Sequence, residues 1–570
     1  MIRLTELKLS LDHDADALPL VIAQTLGIKV SDIASHTLFK RSFDARKAAL
    51  IQVYIVDVAL ESALEARLLT QFAGHRHIFA TPDMAYYPVG QAPTQLAVRP
   101  VVVGFGPCGI FAALVLAQMG FRPIVLERGK KVRERTQDTW GLWRKHVLNP
   151  ESNVQFGEGG AGTFSDGKLY SQIKDPRFLG RKVMHEFVKA GAPPEILVEA
   201  HPHIGTFKLV KVVENLREQI IALGGEIRFE QRVTDVLIEN DMHGRHVRGL
   251  SVLNQATGAS YELEAHQVVM ALGHSSRDTC LALYQRGVAM EAKPFSIGFR
   301  IEHPQSVIDR ARWGRHAGHP KLGAADYKLV HHASNGRSVY SFCMCPGGTV
   351  VAATSEPGRV VTNGMSQYSR NERNANAGIV VGIDPRDYPT DADAFQATLG
   401  EHVSSQPAPG TTHHPLAGIV LQRQLESNAY VLGGSDYNAP GQLVGDFVAG
   451  KRSSQPGGVE PSYKPGVTLG DLHPTLPGYA IEALREALPA FGQKIKGFDM
   501  PDAVLTGVET RTSSPLKIPR SDDFQSINTR GLYPAGEGAS YAGGILSAGV
   551  DGIKVAEAVA RSLLGNNTPV

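Results

Sequence analysis

The stretch RPVVVGFGPCGIFAALVLAQMGFRPIVLERG, Arg99 to Gly129, constrains this chain more than any other. It reads as a short apolar strand, a glycine turn, an apolar helix and a second apolar strand. Gly104, Gly106 and Gly109 stand at G-x-G-x-x-G spacing, directly after PVVV and at the start of the helix. In that register the first glycine permits a tight turn and the second lets backbone approach a pyrophosphate. The third lets helix and strand pack closely. Pro107 and Cys108 fall inside the turn and are counted with it, Cys108 as a packing residue. The helix amino terminus offers free N–H groups and the positive end of its dipole to phosphate. Glu127 closes the second strand 18 residues after Gly109, with Arg128 beside it. A carboxylate there accepts hydrogen bonds from both hydroxyls of an unphosphorylated ribose, as in FAD or NAD. The stretch therefore predicts a Rossmann-type βαβ unit that holds an adenosine diphosphate.

A bare G-x-G-x-x-G is a weak signal. Gly157, Gly159 and Gly162 in GEGGAG match it too, yet they follow SNVQF, precede TFSDGKLY and have no acid-ended strand at the right distance. Taken alone they predict a loop.

At 570 residues the chain is long enough for two to four domains. Its hydrophobic fraction of 42% and charged fraction of 20% are those of an ordinary soluble protein. A net charge of +2 argues against nucleic acid or anionic lipid as a partner. Four cysteines make no disulfide framework and fit a reducing, cytoplasmic compartment. The amino terminus lacks the apolar core of a signal peptide. Pro100 to Phe121 carries no charge, but its glycine turn leaves an apolar run too short to cross a membrane.

RLTELKLSL and ALIQVYIVDVAL read as strands and ADALPLVIAQTL and ESALEARLLTQF as helices, a small α/β domain over residues 1–92. TPDMAYYPVGQAPTQ is the linker after it. Helical spacing recurs at RKVMHEFVKAG, DADAFQATLGEHV and GYAIEALREALPAFG. GLYPAGEGASYAGGILSAGVDGIKVAEAVARSLL returns to strand, glycine turn and helix.

That last segment separates the cofactors. Leu532-Tyr533-Pro534-Ala535-Gly536-Glu537 resembles the late strand of the glutathione-reductase-like FAD superfamily, where an apolar-Gly-acid motif meets the ribityl chain. The resemblance implies that Gly543, Gly544 and Ile545 open a helix facing the flavin O2/N1 edge, where its dipole stabilises negative charge. It matches Ala271-Leu272-Gly273 to a strand end that leads back to a substrate domain, and Val233 to the backbone position that meets adenine. The superfamily more often carries Asp where this chain has Glu537. VQFGEGGAGTFSDGKL, KPFSIGFRIEHP, YSFCMCPGGTVVAATSE, VETRTSSP and YPAGEGASYAGGILSAGVDG further resemble a bacterial family of FAD-dependent dehydrogenases of unassigned substrate, spread from about residue 100 to the carboxyl terminus. Phe207 stands where that pattern leads one to expect an acid. The resemblance implies an α/β protein with a discontinuous Rossmann-type FAD-binding domain (93–290 and 506–570). Between these parts comes an inserted α+β substrate or cap domain (291–505). It also implies that the loop with Gly159, Gly160, Gly162 and Thr163 lies under the pyrophosphate or the isoalloxazine.

Four residues are candidates for chemistry. Cys343 and Cys345 in FCMCPGG would present both thiols on one face of an alternating strand, able to relay electrons or attack substrate. Structural burial is the commoner fate of such thiols. Arg511 in ETRTSSP would hold a substrate carboxylate or the flavin pyrimidine edge by a two-pronged bond, or pair with Glu509. Tyr541, beside Ser540, would gate N5 or merely line the site. The 21 histidines include adjacent pairs but no set at metal-ligand spacing, so no metal is expected. Lys40, Arg41, Arg46 and Lys47 form a basic cluster that reads more simply as a solvated face than as a contact for RNA or an acidic protein.

These readings lead to an FAD-dependent oxidoreductase that exchanges a hydride at N5 with a small organic molecule. With one dinucleotide fingerprint, NADH or NADPH would have to dock without a second Rossmann site. The alternatives are a flavoprotein that acts on RNA or another macromolecule through its N-terminal domain, and a non-catalytic FAD-binding protein.

Overall fold

The computed structural model describes residues 1–45, 50–407 and 411–565. Arg46 and Lys47 lie outside them. The chain divides into two compact units. One comprises Met1–Tyr87 together with Lys168–Ile204, the other Pro88–Gly167 together with Gly205–Val570.

In the first unit the order is strand, helix, strand, strand, helix, strand, with a four-stranded antiparallel sheet. Ser35–Asp44 lies at one edge, followed by Ile51–Ala59, Ile2–Ser10 and Ile78–Ala80. This is the split βαβ arrangement. Ile2, Leu4, Val56 and Val58 point to one sheet face and bury Ile22, Leu26 and Leu68 from the helices Ala17–Leu26 and Ser62–Gln71. The Arg3–Asp57 ion pair is buried beside this core at 2.8 Å. Segment 168–204, with its helix Leu179–Lys189, belongs to the same unit, a grouping that no local pattern announces.

The second unit contains a five-stranded parallel sheet in the order Leu532–Pro534, Val268–Met270, Val101–Val103, Ile124–Leu126, Glu226–Arg228. Four of these strands have both faces covered, which is why they read as unbroken apolar triplets rather than as alternation. Helix Pro107–Gln118 is buried almost all round. The carboxyl-terminal helix Ile545–Leu563 crosses it closely. A side chain at Gly552 would place its Cβ 2.3 Å from the Cys108 carbonyl oxygen. A three-stranded antiparallel sheet (Gln231–Asp241, Gly244–Asn254, Ser260–Glu264) follows the edge strand.

The same unit holds a large mixed sheet centred on Phe295–Pro304, Asn374–Ile383 and Val504–Glu509, with the long strand Ser338–Ala352 beside them. Its core packs Ile297, Phe299, Ile379 and Val381 with Ile481, Leu484 and Phe491 of helix Gly478–Lys494. The register of Ser338–Ala352 slips twice, between Phe342 and Cys345 and again before Gly348. Among the described residues no helix is long and apolar enough to cross a membrane.

Candidate functional site

The parallel sheet reverses its winding between Val101–Val103 and Val268–Met270, so a crevice opens at the carboxyl ends of these two strands. Gly104 sits there with φ +97°, and a Cβ on it would lie 2.4 Å from the Ala271 carbonyl oxygen. A Cβ on Gly109 would lie 2.0 Å from the Gly104 carbonyl. Both glycines are therefore demanded by the protein's own packing. Gly106 is different. A Cβ there would meet only the Gly160 Cα, at an ordinary 3.6 Å. Nothing among the described residues requires glycine at 106, whereas a phosphate lying on the backbone would. The N–H groups of Cys108 and Gly109, in the first helical turn, have no acceptor within the helix. The Cys108 thiol faces Gly536 and is buried, which pushes its pKa well up.

Glu127 is buried and ties three turns together. Its carboxylate accepts from the N–H groups of Phe105 and Gly129 at 2.8 Å and of Gly157 at 2.9 Å. A carboxylate offers about four lone-pair positions, so about one remains for a ribose hydroxyl. The loop carrying the second glycine motif is thereby brought to the first. Gly159 N–H donates to the Phe105 carbonyl at 2.8 Å, and a Cβ on Gly160 would lie 2.8 Å from the Gly106 Cα. A Cβ on Gly162 would touch Ile545 Cγ1 at 3.1 Å and Pro107 Cγ at 3.3 Å. The loop thus gathers the amino termini of both buried helices at one place. Thr163 is buried beneath it, its hydroxyl where a Cβ on Gly159 would fall.

This loop keeps its shape through side chains that no motif singled out. Arg135 is fully buried and donates to the carbonyls of Asn153, Val154, Gly157 and Glu158. Burial lowers its pKa to about 10. Glu158 accepts from Val132 N–H and pairs with Arg217 at 2.8 Å. The only hint in the sequence is charge on a face that must be buried.

Next to Glu127, Arg128 pairs with Glu151 and Asp278 at 2.9 Å and stacks on Phe156. Beside it a cleft of about 220 Å³ is lined by Arg128, Gly129, Asn149, Ser152, Glu230 and Gln255. The buried Ser152 hydroxyl in its wall has no hydrogen-bond partner among the described residues. Val233 is buried in the neighbouring antiparallel strand, and the Glu127 carbonyl accepts from Gln231 N–H at 2.9 Å.

At the other end, Gly536 N–H donates to Asp551 at 2.8 Å, and Arg520 pairs with Asp551 at 2.5 Å. Gly543 and Gly544 donate to the Ser547 hydroxyl, and a Cβ on either would meet nothing within 4 Å, as at Gly273. Tyr541 lies under the Arg520 guanidinium at 3.6 Å, and its hydroxyl bonds the Arg520 N–H and the Ile518 carbonyl. Glu537 is half-buried. Burial raises its carboxyl to about 8, partly countered by Lys293, while Cys343 pushes it the same way as burial.

The two cysteines occupy different surroundings because the strand bulges between them. Cys343 has φ +43° and is half-buried, while Cys345 is fully buried and donates to the Cys343 carbonyl at 3.4 Å. Strict alternation, the basis for placing both thiols on one face, does not hold here. Arg300 donates to that same carbonyl at 2.9 Å and pairs with Glu509 at 2.7 Å. Glu509 is therefore not the partner of Arg511. Arg511 lies 2.9 Å from Glu426 and donates to Ser275 and Ser355. Glu426 also binds Arg277, which reaches Glu356 at 3.2 Å. Burial lowers His274, beside this network, to about 3, and Arg511 and Arg277 act in the same direction.

Residues 294–512 match the family model "FAD-dependent protein, C-terminal domain-like", and residues 1–59 match a domain of unknown function, DUF8436. An uncharacterized protein of Clostridium beijerinckii is 44% identical over 559 residues, 98% of each chain. Among solved structures, THI4 of Thermovibrio ammonificans aligns at 18% identity and TM-score 0.24 over 34% of this chain and 64% of that one. A geranylgeranyl bacteriochlorophyll reductase-like protein of Thermoplasma acidophilum aligns at 12% identity and TM-score 0.34, over 83% of this chain and 80% of that one. FAD is the cofactor, and Gly106, with the free helix N–H groups beside it, suits its phosphates. Over almost its whole length the chain belongs to one family with the Clostridium beijerinckii protein.

Proposed function

We propose that the protein is an FAD-dependent oxidoreductase, a dehydrogenase or reductase that moves a hydride to or from a small organic substrate. The observation that carries this reading is the position of Gly162, where a Cβ would lie 3.1 Å from Ile545 and 3.3 Å from Pro107, so that the loop brings two helix amino termini together at the sheet's switch point. Bound FAD supplies two-electron chemistry at N5. The chain holds its phosphates with the N–H groups of Cys108 and Gly109 and its ribose with the remaining acceptor position of Glu127. Glu537 would meet the ribityl chain, and Gly543 and Gly544 the pyrimidine edge. Glu537, its carboxyl raised to about 8 by burial, holds a proton at neutral pH and exchanges it near the reacting centre. Cys343 lines the substrate side, Tyr541 packs the flavin end, and Arg511 braces the crevice through Glu426. If NADH or NADPH is the donor it docks without a Rossmann site of its own; otherwise another reductant supplies the electrons.

Rapid anaerobic bleaching of the flavin by NADH or NADPH is expected, and a flavin untouched by either removes nicotinamide from the scheme. Gly106→Asp sets bulk and charge against the pyrophosphate and should give colourless, folded protein. A yellow variant with full flavin occupancy would disprove the cradle.

A further inference from the structure

A two-stranded antiparallel ribbon, Glu291–Ala292 with Leu516–Lys517, sits at the start of the mixed sheet, and Lys293 N–H continues it by donating to the Pro515 carbonyl at 2.9 Å. Glu291 lies directly opposite Lys517 in the register, and Lys293 is two residues on from Glu291. Opposed residues share a face and so do residues two apart, so Glu291, Lys293 and Lys517 stand on one face of the ribbon. That face is turned toward the flavin end of the crevice. The Lys517 ammonium is 5.7 Å from the Tyr541 ring centroid, and Lys293 feels the charges of both Glu537 and Lys517.

Both lysines are half-buried, and among the described residues neither ammonium forms an ion pair. Lys293 Nζ reaches only the Ser514 carbonyl, at 3.5 Å. Glu291, the carboxylate nearest in register, is exposed and makes no bridge to Lys517. Two like charges on one small face repel each other, and for Lys293 burial outweighs the opposing charge of Glu537 and holds the ammonium below the ordinary lysine range. A stable fold tolerates this where a ligand of opposite charge supplies what is missing.

We propose that Lys293 and Lys517 form an oxyanion subsite, and that the substrate is a small acid bearing a carboxylate or phosphate, held there beside Glu537. This deepens the oxidoreductase reading and rests on it. Charge-assisted contacts to two ammonium groups give such a site its affinity.

The test uses the yellow holoenzyme, titrated with oxalate and, separately, with inorganic phosphate at constant ionic strength while flavin absorbance is followed. A saturable spectral shift is expected with at least one of them, and which one names the oxyanion. Lys293→Met and Lys517→Met should each weaken it about tenfold or more, with flavin content unchanged, while Lys517→Arg retains it. No saturable shift in native holoenzyme, or an equal shift in both Met variants, overturns the subsite and leaves the oxidoreductase reading standing. Flavin loss in the Met variants, with anion affinity unchanged in the holoenzyme that remains, assigns the lysines to the cofactor and also overturns the subsite. Native protein that takes up no FAD would instead defeat the reading beneath it.

Discussion

Glu127→Gln separates two jobs that one carboxylate can do. In the fold Glu127 accepts three backbone N–H groups, from Phe105, Gly129 and Gly157, at 2.8 to 2.9 Å. Glutamine keeps the shape but only one acceptor oxygen. Its best placement satisfies Gly129 and Gly157 and turns an NH2 group toward Phe105 N–H. Leaving that buried N–H without an acceptor costs about 1–3 kcal/mol, and the two retained bonds lose charge assistance worth about 1 kcal/mol each. The sum is about 3–5 kcal/mol, a sizeable part of a domain's stability. Because every 1.4 kcal/mol is a factor of ten, local opening should become about a hundredfold or more easier. Hydrogen exchange on flavin-free protein reads this directly, as faster exchange in peptides spanning Val101–Ile110 and Asn153–Gly160. If exchange there stays within about threefold of wild type while FAD affinity alone falls, Glu127 acts through the ribose and the three-turn pin is wrong.

Glu426→Gln should lower thermal stability by about 3 kcal/mol or more, because Arg277 and Arg511 are left buried with reduced compensation. A shift under about 0.5 kcal/mol in flavin-free protein would show the network to be dispensable. Acid should destabilise the fold through buried histidines. His274 is lowered to about 3, and His303 and His414 to about 4, all chiefly by burial. Below an ordinary histidine pKa of 6.5 the unfolded chain binds protons that the native state refuses, so stability is present above 6.5 and declines as pH falls toward 4. His414→Gln should lose less stability between pH 7 and pH 5 than wild type, measured by urea midpoint; an equal loss would remove His414 from the account.

The strand, turn, helix and acid between Val101 and Glu127 were legible because each is a short-range matter of apolar runs, glycine φ angles and spacing. Gly104 and Gly109 are required by contacts with Ala271 and with Gly104 itself, which follow once the turn is made. The strand order was not legible, because pairing Val268 with Val101 and Leu532 closes loops of very different length without any local mark.

What the amino-acid order determined alone was the dinucleotide-holding unit, since it is written within about thirty neighbouring residues, while FAD rather than NAD was read from a second segment at residues 532–545. Only the tertiary structure decided which partners the charges take. Arg511 goes to Glu426 rather than to its neighbour Glu509, Arg135 supports the second glycine loop, and a bulge gives Cys343 and Cys345 separate surroundings. The reason is physical. A buried charge must find compensation wherever the packing places it, and packing brings together residues that lie far apart along the chain.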